Sequence, residues 1–363
     1  MRKLICGIVM LSVALSAGSA LAWTPKLEVN EDVWMQLGFL GQGWFEAVED
    51  NAGDNDKWSK DFYFRRARIL GMGSVHKNVK FFFDTDVPNS GKKGTTDNDL
   101  ILNDAFVDLQ FMPEFNVQLG RILVPFSVEN KASAALLLGI DYNTNVTKIP
   151  TFIDRAFWRD DGVEVRGVLL DGLIDYRVGV FDGASINNSD DHMRTTGMIM
   201  VNLGDAQPGW FYNMNSLGAL KVLSFSAGYD YIGIGGAGVE DHKAWNVGAH
   251  LEQPLGNGRI VGSATFYDWE GPFFEGQTAS VQVGYLMPCP FNEGSHIQPV
   301  LRWLHQDNDT TDRKLDTYAI GLNYFLKGHN INFKADYAFN DQFIPAAGGD
   351  RVDAFRFQTQ LLF

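Results

Sequence analysis

Charged side chains in this chain recur at even spacing: Arg66 and Arg68, Lys80 with Asp84 and Asp86, Asp104 and Asp108, Glu164 and Arg166, Asp175 and Arg177. A two-residue period places such groups on one face of an extended strand. Charges aligned along a wall attract, repel and orient solutes; they make or break no bonds. No bond-making constellation accompanies them. The seven histidines are scattered, and none pairs at the spacing of a metal-binding helix. His76 and His329 fall in expected turns, and His250 alternates with Asn246 and Glu252 onto a polar face. The glycine-rich run Gly233 to Gly238 has no helix after it to form a phosphate cradle. The cluster from Asn51 to Asp56 lacks a full set of calcium ligands and reads better as a solvated loop. Neither an enzyme nor a cofactor is therefore expected.

The elements that position these charges are strands. In Val79 to Asp86, Val79, Phe81 and Phe83 oppose Lys80, Asp84 and Asp86. In Leu100 to Phe111, Ile101, Ala105, Val107 and Leu109 oppose Asp104, Asp108 and Gln110. The last segment, Val352 to Phe363, carries Phe355, Phe357, Thr359, Leu361 and Phe363 on one face. Ala354, Arg356, Gln358 and Gln360 lie on the other, with Leu362 breaking the pattern. Further strands are expected near 33–46, 62–73, 117–123, 162–169, 174–181, 194–203, 220–231, 244–252, 259–268, 278–287, 297–306, 316–326 and 331–339. Asp171-Gly172, Gly256-Asn257-Gly258 and Lys327-Gly328 supply tight turns between them.

About sixteen strands, each with one apolar and one polar face, predict an all-β, transmembrane antiparallel barrel. Closure removes aggregation-prone edges, lipid covers the apolar exterior, and an even count leaves both termini on the periplasmic side with the longer loops facing out. A propeller would need a blade repeat, which is absent. A sandwich leaves the terminal aromatic unexplained, and an eight-stranded barrel leaves half the strands unplaced.

Composition agrees. Aromatic residues at 13% together with 38 glycines suit strands with aromatic girdles. A net charge of −14 argues against nucleic acid as a partner. Arg2 and Lys3 followed by an apolar run from Leu4 to Ala17 and by Ala20-Leu21-Ala22 read as a signal peptide over 1–22. The barrel domain is then 23–363. With Cys6 in that leader, Cys289 stands alone, so neither an intrachain disulfide nor a cysteine zinc site is expected.

Several motifs resemble one family. They are Phe64-Arg65-Arg66-Ala67-Arg68, Asp104-Ala105-Phe106-Val107-Asp108-Leu109, Leu119-Gly120-Arg121, Pro125-Phe126-Ser127-Val128-Glu129, Asp160-Asp161-Gly162-Val163 and Gly179-Val180-Phe181-Asp182-Gly183. In this order they are similar to the porin O and P family, phosphate-selective porin-like proteins of the Gram-negative outer membrane. The resemblance implies a sixteen-stranded, usually trimeric barrel in the bacterial outer membrane, in contact with lipid and lipopolysaccharide. The terminal Phe363 likewise resembles the signal read by the outer-membrane assembly machinery.

The function expected is a porin: a water-filled channel for passive diffusion of small hydrophilic solutes or ions, with anions such as phosphate suggested by the resemblance. The alternative is a non-transport barrel, an adhesin or a sleeve around a partner protein. The long irregular stretch Val124 to Asp160, after the fifth strand, resembles the pore-folded loop of porins. Its run Ser133 to Leu138 is too apolar for a solvated tip, so it docks either on the inner wall or on a neighbouring subunit. Candidates for the constriction and lumen are Arg66, Arg68, Lys80, Asp104, Asp108, Arg155, Arg159, Glu164, Arg166 and Arg177. Other lumen charges expected include Arg302, Lys334, Arg356 and Asp268, with Arg65 near the rim. The two signs nearly balance, which departs from the basic ladder that a phosphate channel needs.

Overall fold

The structure, a computed structural model, describes residues 26–50, 57–94, 99–143, 158–183, 192–233, 240–272, 274–340 and 352–363. The expected leader and Arg155 lie outside them. A short strand β1 (Leu27–Asn30) leads into β2 (Val33–Asp50) and β3 (Lys57–His76). Then follow β4 (Val79–Asp86), β5 (Ile101–Met112), β6 (Phe115–Leu123), β7 (Arg159–Leu169), β8 (Ile174–Phe181) and β9 (Arg194–Asn202). The remainder is β10 (Val222–Ile232), β11 (His242–Leu255), β12 (Gly258–Glu270), β13 (Gly276–Pro288), β14 (His296–Asn308), β15 (Arg313–Lys327), β16 (Ile331–Phe339) and β17 (Ala354–Leu362).

From β2 onward each strand pairs antiparallel with the next, and β17 returns to β2 through Leu362↔Leu40, Gln360↔Gln42 and Ala354↔Val48. The result is a closed barrel of sixteen strands, with β1 appended to β2. The final residue completes the seam. Phe39 N donates to Phe363 O at 2.7 Å, Phe363 N donates to Phe39 O at 3.1 Å, and the two rings lie 5.6 Å apart.

Alternation gives each strand two solvents. Outward residues such as Phe62 (76% exposed), Leu301, Ile320 and Leu361 present a continuous apolar exterior. Aromatic belts flank it: Phe111, Phe115, Tyr285, Tyr324 and Phe333 at one end, Trp58, Trp245, Trp303, Tyr318 and Tyr337 at the other. No helix among the described residues is long and apolar enough to cross a membrane.

The wall is uneven. Strands β2 and β3 have 18 and 20 residues, whereas β4, β6, β8 and β9 have 8 or 9. Connections at one barrel end are mostly short turns and at the other mostly longer loops, but one connection at the turn end is long. Between β9 and β10, residues 203–221 arise from the short-turn end and run into the lumen. The expected rhythm of short turns on that side fails at this point.

Inside the barrel lies an apolar core. Leu40, Leu70, Phe82, Phe106, Ile122, Phe181, Met198, Met200 and Leu362 face inward and are buried with residues of the two inserted segments. Leu362, the exception in its strand, takes its place in this core.

Candidate functional site in the lumen

The segment after β6 crosses the lumen, so of the two placements open to its apolar run it takes the inner wall. Residues 124–143 form no strand, so their backbone carbonyls need donors from elsewhere, and the wall supplies them. Phe126 O accepts from Asn246 Nδ2 at 2.7 Å, Ala134 O from Gln42 Nε2 at 3.1 Å, and Ala135 O from Gln360 Nε2 at 3.1 Å. Lys334 Nζ reaches Leu137 O and Gly139 O at 2.6 and 2.8 Å, and Asn323 Nδ2 reaches Leu138 O at 2.9 Å. Within the segment, Tyr142 Oη donates to Ala132 O at 2.7 Å and Trp158 Nε1 to Asn130 O at 2.9 Å.

Charge fixes its far end. Arg65 Nε and an Arg66 guanidinium nitrogen bind the two oxygens of Asp141 at 2.7 and 2.6 Å. Two consecutive residues on a regular strand would point to opposite faces. A register shift opposite Gln42 and Gly43 inserts an extra residue into β3 and turns both guanidinium groups to the lumen. Arg65 therefore does not sit at the rim, contrary to the alternation. Burial raises the Asp141 carboxyl, but Arg65 and Arg66 outweigh it and hold it well below the usual carboxylate range.

The second insertion, residues 203–221, lies between two expected strands, where the sequence pattern suggests only a link. Trp210 Nε1 donates to Asp108 at 2.9 Å and Tyr212 Oη to Asp175 at 3.0 Å. Arg177 donates to Gly209 O at 2.8 Å while its guanidinium lies 4.3 Å from the Tyr212 ring centroid. Glu252 accepts from the amides of Ser216 and Gly218 at 2.7 and 2.6 Å, and Asn215 Nδ2 donates to Gln298 at 3.0 Å. The available signal was composition: Trp210-Phe211-Tyr212 and Met214 form a cluster no solvated turn would carry.

The two segments, entering from opposite ends, meet. Tyr212 N donates to Lys131 O at 2.9 Å and Ser133 N donates to Tyr212 O at 3.0 Å, a parallel bridge between Ala132 and Tyr212. Lys131 also binds Glu164 at 2.7 Å and Leu123 O at 3.0 Å. Burial lowers the Lys131 ammonium to about 8 against the pull of Glu164, and burial raises the Tyr212 phenol.

The residues selected from the sequence converge on this region, but as anchors. Arg68 pairs with Asp84 and Asp86 at 2.8 and 2.9 Å, Arg159 with Asp104 at 2.9 Å, and Arg166 with Asp108 at 3.0 Å. Arg66 binds Asp141, Glu164 binds Lys131, and Arg177 leans on Asp175 at 3.4 Å. All of these candidates are buried. Lys80 differs: it is half-buried, in register opposite Asp108. Asp268 lies outside altogether. Tyr267 and Trp269 occupy the inward positions of β12, so Asp268 faces out and accepts from Trp245 Nε1 at 3.1 Å.

The opposite wall, β10 to β14, has another chemistry. Ser224, Ser226, Asn246, His250, Ser263, Thr265, Thr278, Ser280, Gln282 and Gln298 face inward there. The partly exposed lumen groups of this wall include Ser226, Gly248, Gln282 and Gln306. Arg302 pairs with Asp336 and Arg356 with Glu46. Glu129, from the first segment, accepts from Tyr267 Oη at 3.1 Å and Gln282 Nε2 at 3.2 Å, and burial pushes its carboxyl up to about 7.

Comparison with known proteins gives this architecture a context. Residues 41–218 match the family model described as phosphate-selective porin O and P. An uncharacterized protein of Aquifex aeolicus (strain VF5) is 25% identical, over 85% of this chain and 82% of its own length. In fold, the chain is similar to OprB of Pseudomonas putida, with a TM-score of 0.63 at 11% identity, covering 90% of this chain and 94% of that one. It is also similar to the anion-selective porin of Comamonas acidovorans, with a TM-score of 0.59 at 14% identity, covering 91% and 99%.

Proposed function

Because this chain belongs, over residues 41–218, to the porin O and P family of outer-membrane channels, we propose that it passes small hydrophilic solutes or ions down their gradients, through lumen space left beside the two inserted segments. The observation that carries this is the division of the barrel: apolar outside, with a hydrogen-bonding wall of hydroxyls and amides inside along β10 to β14. Partly exposed Ser226, Gln282 and Gln306 favour a solute path on that side. Because Arg68, Arg159, Arg166, Arg302 and Arg356 are matched by carboxylates within ion-pairing distance, the wall supports weak ion preference and no phosphate ladder. A lumen that already holds two of its own segments disfavours the sleeve reading.

We further propose a homotrimer formed through the low wall of β4 to β9. Arg121 and Asp161, paired at 2.8 Å on its outer face, are costly in lipid and acceptable at a subunit contact. In planar bilayers the purified full-length protein should show stepwise conductance, with a reversal potential near zero across a KCl gradient. An absence of steps sinks the channel reading, and a strongly anion-selective potential sinks the weak-preference reading.

A further inference from the structure

Where the two lumen segments meet the apolar wall, they leave a cavity of about 120 Å³. Its apolar surface comes from three sources: Leu70 and Phe82 on the wall, Ala134 and Ala135 from the segment after β6, and Trp210 and Phe211 from the segment after β9. One end is polar. Arg68 lines it with Asp84, and Arg159 with Asp104. In this group Arg68 is engaged by Asp84 and Asp86, and Arg159 holds Asp104 Oδ2 at 2.9 Å. Asp104 Oδ1 has no hydrogen-bond partner among the described residues, although Asp104 is only 1% exposed.

A buried carboxylate oxygen without a donor is a strong acceptor in a low-dielectric setting, and its hydrogen bond to an arriving donor is worth more than one between neutral groups. The apolar part has the size and lining of cavities that take up a single benzene ring. We propose that this cavity binds a single-ring aromatic bearing a hydrogen-bond-donating head, a phenol, with the ring resting against Phe82, Trp210 and Ala135 and the hydroxyl donating to Asp104 Oδ1. The aromatic walls favour tilted ring contacts over plain aliphatic burial. Such a ligand touches both inserted segments, so its binding also ties them together. The proposal depends on the channel reading only for how the ligand arrives.

The test is calorimetric titration of phenol into the detergent-solubilised full-length barrel, with anisole as a ring of similar size that lacks the donor. Ala135→Leu fills the cavity and reports partition into detergent alone. Ala134→Leu does the same from the adjacent position, and heat-modifiable gel migration identifies whichever variant is folded. Phenol should bind wild type above this background, about tenfold tighter than anisole, and lose that binding in the filled variant. Identical phenol heats in wild type and the folded filled variant would overturn the site. Equal affinity for phenol and anisole would overturn the role of Asp104. Phenol binding by a barrel without conductance would support this inference while sinking the channel reading.

Discussion

The two halves of the lumen wall solve different problems with one strand geometry. On β3 to β9 the inward face mixes large apolar residues with paired charges: Phe82 beside Asp84, Phe106 between Asp104 and Asp108, Phe181 beyond Arg177. Along β10 to β14 the inward face sets hydroxyls and amides, from Ser224 to Gln298, among buried residues such as Val261, Trp269 and Val300. The first half is a core; it buries the inserted segments and holds them with ion pairs sealed from water. The second half, though also largely buried, is a polar surface on which the same segments rest through hydrogen bonds, Asn246 to Phe126 O, the Ser216 amide to Glu252 and Asn215 to Gln298. Alternation alone makes both faces polar-compatible, and the difference between them comes from what the chain lays against each.

Removing the grip on the first segment should break the contrast most severely. Asp141→Ala leaves Arg65 and Arg66 buried without their shared partner, at a cost of about 3–5 kcal/mol to the seating of residues 124–143. The expected outcome is a larger and noisier single-channel conductance, together with new proteolytic cleavage in that segment; unchanged values would remove Asp141 as an anchor.

Matched deletions sharpen the same contrast. Phe82→Ala on the packed side should destabilise the barrel by about 3 kcal/mol through cavity formation. Ser263→Ala on the polar side should shift stability by less than about 0.5 kcal/mol, because its hydroxyl has no partner among the described residues. Urea unfolding in a defined lipid measures both, and equal effects would erase the distinction between core and surface.

The smallest effect concerns acidity. Burial raises Glu129 from the ordinary 4.5 to about 7, so the site favours its protonated form. Its contribution to seating the segment is fully present below about pH 4.5 and lost as the pH rises through about 7. Conductance should therefore climb modestly, by less than about twofold, across that window, and Glu129→Gln should flatten the profile. The groups facing Glu129 are Tyr267, Gln282, Ser280 and Arg302. A profile that persists in Glu129→Gln would assign the titration elsewhere.

Much of the architecture was legible because a barrel strand is read from its own residues. The limits of β4, β8 and β16 fall at the residues where the two-residue period begins and ends. Strands β2 and β3 run longer than expected because their outer ends are polar, so the lipid-facing signal fades before the hydrogen bonding does. That the segment after β6 needs cover followed from the apolar side chains of Ser133 to Leu138; that the inner wall and not a neighbouring subunit supplies it did not. Residues 203–221 escaped notice because they stand where a short turn is the rule, although Trp210 to Tyr212 carried the same signal. The inward turn of Arg65 was not legible, since it depends on a bulge against the neighbouring strand. Asp268 misled because a carboxylate in a strand suggests the lumen, whereas near the rim it can face outward beside Trp245.

By itself the amino-acid order determined the count of strands in the barrel, their two faces and the closed outer-membrane barrel, because periodicity is a local property and a bilayer leaves a strand-built wall no unpaired edge. Only the tertiary structure decided which charge binds which. Arg66 finds Asp141, Lys131 finds Glu164 and Trp210 finds Asp108 across long stretches of chain. Such pairings are set by where two inserted segments come to rest against the wall, and their energy depends on burial that exists only after the barrel has closed.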